Sequence, residues 1–157
     1  MELAHVDASG AARMVDVSGK EVTVREAVAS ARLITTPEVI ELLRRDGLPK
    51  GDALATGRIA GIAAAKRTPD LIPLCHPVAI HGVSVDLELT VDSVLITAAV
   101  RTADRTGVEM EAMTSVAVAG LALTHTPQEV GFYALDFGGG GLTSMRDLPH
   151  MGSVCGR

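Results

Sequence analysis

Val83, Val85, Leu87 and Leu89 alternate with Ser84, Asp86, Glu88 and Thr90. A period of two puts one apolar and one polar face on an extended chain, which predicts a half-buried strand. A tight turn at Asp92-Ser93 and the apolar run "VLITAAV" predict a second strand, ending near Thr102 and closing a hairpin. Upstream, "TTPEVIELLRRDGL" reads as a helix. Thr36 can cap it, Pro37 suits its first turn, and Val39, Ile40 and Leu43 share a face. Arg44 and Arg45 suit its last turn, and Gly47 stops it. A further helix starts after Lys50, with Asp52 as cap and Ala55, Ile59 and Ile62 as its stripe. Lys66 falls four residues past Ile62 on that stripe, either snorkelling to its edge or pointing into a site.

Residues 106–123, "TGVEMEAMTSVAVAGLAL", predict a long apolar helix capped near Thr106. Its Ala117, Ala119, Gly120 and Ala122 allow a second helix to approach closely. Residues 22–34 mix strand and helix signals; β-branched residues and "ARLI" favour a strand over about 26–34. Residues 1–20 lack periodicity and read as a flexible arm. From Thr124 the pattern breaks. Pro127, four glycines at 138–141 and little periodicity follow, and only "GFYALDF" could be a strand. Helices segregated on one face of an antiparallel sheet make an α+β sandwich.

Composition narrows the picture. A chain of 157 residues, 47% hydrophobic, suits one domain, here 1–157. Its only aromatics are Phe132, Tyr133 and Phe137, so the core must be aliphatic. No apolar run reaches the roughly 18 residues of a membrane span. "MELAHVDASG" lacks a basic start and an apolar run, so it is not read as a signal peptide. Cys75 and Cys155 make no disulfide framework. A soluble, cytoplasmic protein is expected. A net charge of −5 and the lack of stacking platforms argue against nucleic-acid binding.

The candidate chemistry sits at element ends. In "LIPLCHPVAI", Pro73 and Pro77 bracket Leu74, Cys75 and His76. Adjacent Cys and His do not readily share one tetrahedral zinc, and no second pair completes a site. A nucleophilic thiol remains open beside the plainer reading, a small buried Cys and a His held by a backbone group. Glu109 and Glu111 stand two apart at a helix start, facing nearly opposite ways. They serve one pocket only if the chain is still extended there, or if one reaches a neighbouring subunit; alternatively each complements the helix dipole. Lys20, Lys50 and Lys66 are the only lysines among fourteen basic residues. Lys50, just before a helix start, makes an anion site or a solvated loop residue. The constellation suits a polyanionic small molecule undergoing acid/base chemistry.

"MVDVSGKEVTVREA", "KGDALATGRIAGIAAAKRTPDLIPLCHP" and "TGVEMEAMTSVAVAGLAL" resemble the cyclic pyranopterin monophosphate synthase family, the molybdenum-cofactor biosynthesis protein C or MoaC family, from about residue 5 to residue 123. The resemblance implies a ferredoxin-like antiparallel sheet with helices packed on one face. It implies a homo-hexamer built as a trimer of dimers, with sites at dimer interfaces. It also implies a lyase with no cofactor and no metal. The implied reaction converts 3′,8-cyclo-7,8-dihydroguanosine 5′-triphosphate into cyclic pyranopterin monophosphate with release of pyrophosphate. Carried over, Lys50, Lys66 and Glu109 take catalytic positions, and Leu74, Cys75, His76, Met110 and Glu111 bind substrate.

After "VAGLAL" the family continues with a Tyr-Asp pair and a Lys three residues past that Asp, then a lysine-bearing glycine tail. Here Thr124, His125 and Gln128 stand at those places, and no lysine follows Lys66. Residues 124–157 thus read as a divergent tail whose composition permits disorder. A shifted reading frame, a paralogue with altered activity, and a foreign tail on a truncated domain each produce such a break. Two functions follow: an enzyme with weakened turnover, or a non-catalytic homologue that binds a nucleotide-like polyanion or co-assembles with an active relative. A ferredoxin-like RNA binder is opposed by charge and by the few aromatics.

Overall fold

A computed structural model describes residues 5–45, 52–125, 132–136 and 151–156. The order is β1 (Thr23–Ile34), α1 (Pro37–Arg44), α2 (Ala53–Ala65), α3 (Thr68–Leu71), β2 (Ile80–Leu89), β3 (Ser93–Asp104), α4 (Glu109–Thr124), β4 (Phe132–Asp136) and β5 (Met151–Gly156). β1, β3 and β2 form an antiparallel sheet in that spatial order. The helices pack on one face of it, giving an α+β, ferredoxin-like arrangement. β4 and β5 pair in parallel as a separate two-stranded sheet. Among the described residues no helix is long and apolar enough to cross a membrane.

The hairpin follows its alternation. Val83, Val85, Leu87 and Leu89 turn inward, as do Val94, Ile96, Ala98 and Val100 of β3. The connection is closed by Thr90, whose hydroxyl receives the Ser93 N–H at 3.0 Å. In α1 the Thr36 hydroxyl accepts from the Val39 N–H, and Ile40 and Leu43 are buried while Val39 stays exposed. Asp52 caps α2, its carboxylate accepting from the Ala55 N–H at 2.9 Å. β1 spans twelve residues, so its alanine-rich middle is strand, not helix.

α2 buries a different face from the one its large residues suggest. Ile59 is 64% exposed, and Gly57, Gly61, Ala64 and Ala65 are buried. The reason is how closely α2 lies to α4. A Cβ on Gly61 would stand 3.1 Å from the Ser115 carbonyl oxygen and 3.2 Å from the Ala119 Cβ. Small residues thus face each other, and Lys66 ends the helix exposed. α4 begins at Glu109 after Val108, with no side-chain cap, so Thr106 does not cap it. The Arg58 Nε–H donates to the Val85 carbonyl (3.1 Å), tying α2 to β2.

Candidate functional site

Three stretches of chain meet around a cavity of about 300 Å³. The first is the turn after α3. The Ile72 N–H donates to the Thr68 carbonyl and the Cys75 N–H to the Ile72 carbonyl, which fixes the backbone between Pro73 and Pro77. The Thr102 hydroxyl then donates to the Ala79 carbonyl at 2.6 Å and holds the exit of the turn against β3. Leu74, Cys75 and His76 line the cavity from this side.

The second stretch is the first turn of α4, where Glu109, Met110 and Glu111 all line the same cavity. The expectation that two glutamates two apart need extended chain to share a pocket is corrected here. The Glu109 carboxylate folds back over Gly107, where any Cβ would collide with it. Glu111 instead points inward and is only 3% exposed. A helix start has no preceding turn to block the backward path, so both acids reach one space. Burial is the main force lifting the Glu111 carboxyl above its ordinary pKa, and the nearby Glu109 charge adds to it.

The third stretch is the N-terminal arm. His5, Val15, Val17 and Lys20 complete the wall. The arm carries its own hydrogen bonds. The Asp7 carboxylate accepts from the N–H groups of Ser9 and Ala11, at 2.8 and 2.9 Å. Asp16 accepts from Ser18, which is what holds its pKa below the usual carboxylate range. Two bonds fasten it to the core: His76 Nε2–H donates to the Val15 carbonyl at 2.7 Å, and Arg105 Nε–H to the Lys20 carbonyl at 3.0 Å. Because a carbonyl only accepts, Nε2 carries the proton and Nδ1 of a neutral His76 is the ring atom able to take one. Sequence counts Lys20 among the three lysines of the constellation without giving it a role, and does not single out His5. Position-by-position alternation carries no trace of a contact made through a carbonyl 61 residues away.

Cys75 is half-buried. Burial, and secondarily the Glu111 charge, push its thiol up. Both effects disfavour the thiolate that a nucleophilic role needs. Among the described residues no group of His, Cys, Asp and Glu could hold a metal ion. Lys66 does not line the cavity, whereas Lys50, Gln128 and the four glycines lie outside the described residues. The described walls thus bring one ammonium, two imidazoles and two carboxyls to one space. That set can accept and release protons, and can grip a ligand with both N–H donors and anionic oxygens.

The sequence profile of the MoaC family matches residues 14–127. A second profile, of the FtsK/SpoIIIE family, matches residues 113–157. The chain is 66% identical over 121 residues to the cyclic pyranopterin monophosphate synthase of Streptomyces coelicolor, covering 77% of this chain and 71% of that one. It is 64% identical over 124 residues to the protein of that name from a Nocardioides species, covering 77% and 76%. It is 58% identical over 122 residues to cyclic pyranopterin monophosphate synthase 2 of Mycobacterium tuberculosis, covering 78% and 73%.

Proposed function

The chain belongs to the MoaC family, and from that membership we propose that it acts in molybdenum cofactor biosynthesis, on the step that makes cyclic pyranopterin monophosphate. The observation that carries the reading is the meeting of Leu74-Cys75-His76 with Glu109-Met110-Glu111 around one cavity. The substrate is the cyclic GTP derivative named above, a triphosphate bearing a guanine-derived ring. Glu109 and Glu111 accept the ring's N–H donors. Glu111, its pKa raised by burial, exchanges protons closer to neutrality than a solvated carboxyl does. The His76 Nδ1 is a second proton acceptor, and Lys20 faces the phosphates.

The charges of one cavity do not suffice for a triphosphate. Lys20 brings one positive charge against the two carboxyls of Glu109 and Glu111. No second lysine lines the cavity among the described residues, and the proposed homo-hexamer, with sites at subunit interfaces, would add cations from another copy. In this reading Lys66, exposed and outside its own cavity, serves the site of a neighbouring copy, and Lys50 takes the other catalytic place.

His125 and Gln128 occupy the places of the family's Asp and Lys, so turnover is slow or absent while binding persists. The FtsK/SpoIIIE match over residues 113–157 supports a foreign tail as the origin of that change. Purified protein should be incubated with 3′,8-cyclo-7,8-dihydroguanosine 5′-triphosphate, with pyranopterin and pyrophosphate measured and binding followed by calorimetry. Binding with little product is the expected result. Neither binding nor product would overturn the assignment, and product at the rate of an ordinary relative would overturn the impairment.

A further inference from the structure

β1 lies at the edge of the sheet, with β3 on one side and no strand among the described residues on the other. The topology explains the vacancy. β3 already has a neighbour on each side, so a strand returning from α4 has to lie outside β1 or outside β2. α4 packs over β1 and β3, which directs such a strand to β1. In this chain the next strand, β4, pairs with β5 instead. Among the described residues the twelve-residue outer edge of β1 therefore has no strand paired to it. It contains no Pro, Gly or Lys, and its register with β3 runs from Thr23↔Asp104 to Ile34↔Ser93 without a bulge, so its protection rests on Glu26 and Arg32, charges of opposite sign.

We propose that this edge pairs with the same edge of a second copy of the chain, antiparallel and two-fold symmetric about Ala29. The argument is the complementarity written into β1. A two-fold axis normal to the sheet keeps helices on one side, so outward residues meet outward residues. With Ala29 on the axis, Glu26 stands opposite the partner's Arg32, and by symmetry Arg32 opposite the partner's Glu26. Val24 stands opposite the partner's Ile34, and Val28 opposite the partner's Ser30. All six outward side chains are exposed in the single chain, Val24 at 64%, Val28 at 63% and Ile34 at 74%. Neighbouring registers lose the match. Centring on Val28 sets Val24 against Arg32, and centring on Ser30 sets Glu26 against Ile34. On the inward face the central register pairs Ala27 with the partner's Ala31, small residues that let the two helix layers adjoin, and sets Arg25 beside the partner's Leu33 at the ends. Opposite charges and apolar pairs directly across an antiparallel ladder each favour pairing, and like charges oppose it. The result is one continuous six-stranded sheet. It does not depend on the catalytic reading.

The test uses full-length Glu26→Arg and Arg32→Glu, each checked for folding by far-UV circular dichroism. Glu26→Arg sets two arginine–arginine pairs across the axis, and Arg32→Glu sets two glutamate–glutamate pairs. Each alone should self-associate roughly tenfold more weakly than wild type in sedimentation velocity. Mixed, they restore both opposite-charge pairs, and native mass spectrometry should show the heterodimer in preference to either homodimer. Each substitution also disturbs its own chain, where Glu26 lies across from Arg101 and Arg32 bonds Asp92 at 3.0 Å. Mixing does not repair that damage, so recovery on mixing is specific to pairing between copies. Unchanged association in both variants, a monomeric wild type, or no heterodimer on mixing overturns the proposal.

Discussion

Gly57 and Gly61 face α4 from adjacent turns of α2, yet replacing each with Ala should shift stability in opposite directions. At Gly61 a new Cβ would meet the Ser115 carbonyl oxygen and Oγ at 3.1 Å and the Ala119 Cβ at 3.2 Å. A backbone oxygen and a Cβ cannot rotate away, so the two helices must part by a few tenths of an ångström. Overpacking of this kind costs about 1–3 kcal/mol. The better helix propensity of Ala offsets about 1 kcal/mol of it. Gly61→Ala should therefore be less stable than wild type by roughly 1 kcal/mol. At Gly57 the close atoms are Leu123 Cγ and Cδ2, at 3.1 and 3.2 Å, with the Ala119 carbonyl oxygen at 3.4 Å. A leucine tip can swing aside, propensity then dominates, and Gly57→Ala should gain up to about 1 kcal/mol. The expected gap is roughly 2 kcal/mol. Urea unfolding followed by circular dichroism, at one protein concentration because self-association is linked to stability, measures it as a change of midpoint at constant slope. A Gly61→Ala protein as stable as Gly57→Ala would refute the packing account. Ser115 offers an internal control. Its Oγ is buried with no hydrogen-bond partner among the described residues, so Ser115→Ala should stabilise by about 1 kcal/mol or more. In the Gly61→Ala background that gain should roughly cancel the loss, but the Ser115 carbonyl remains in the way, so the double variant should stay less stable than Ser115→Ala alone.

The other predictions concern the cavity. The folded pKa of Glu111 lies above its unfolded value, so its stabilising contribution is complete below about pH 4 and is lost as pH rises through the folded value. Glu111→Gln should accordingly melt higher than wild type at neutral pH and lose that advantage in acid; an equal offset at both ends would contradict the burial argument. His76→Ala removes the donor to the Val15 carbonyl, so limited proteolysis should cut within residues 5–18 several times faster while the far-UV spectrum stays unchanged. Lys20→Ala should weaken inorganic triphosphate binding by about tenfold in calorimetry, and an unaltered affinity would remove Lys20 from the phosphate role.

The hairpin was legible because its side chains alternate under a single cover of helices; Val83 through Leu89 obey the rule residue by residue. α1 was legible for the same kind of reason, down to the Thr36 cap. α2 misled because the reading assumes that the largest apolar residues face inward. Here the tightest contact is made by Gly57 and Gly61, and Ile59 is left outside, so Lys66 rode on the wrong stripe. The Gly57-x-x-x-Gly61 spacing, set against the small residues noticed on α4, was the available signal. The "LCHP" turn and the "GVEMEA" helix start were legible through their resemblance to a family. That they meet in one cavity, and that Lys20 joins them, required the fold. Two lysines 30 residues apart carry no mark of which one faces a site.

The arm contributes no residue to either cluster of the hydrophobic core, although it forms one wall of the cavity. Folding and competence are therefore separate properties of this molecule. A preparation can show full secondary structure and a sharp melt while the segment through residue 18 is clipped, or drawn aside by a purification handle on its end. Such a sample would pass as native by every bulk measure and present an open cleft in place of a pocket. The fraction of active sites has to be titrated with ligand rather than inferred from the fraction folded.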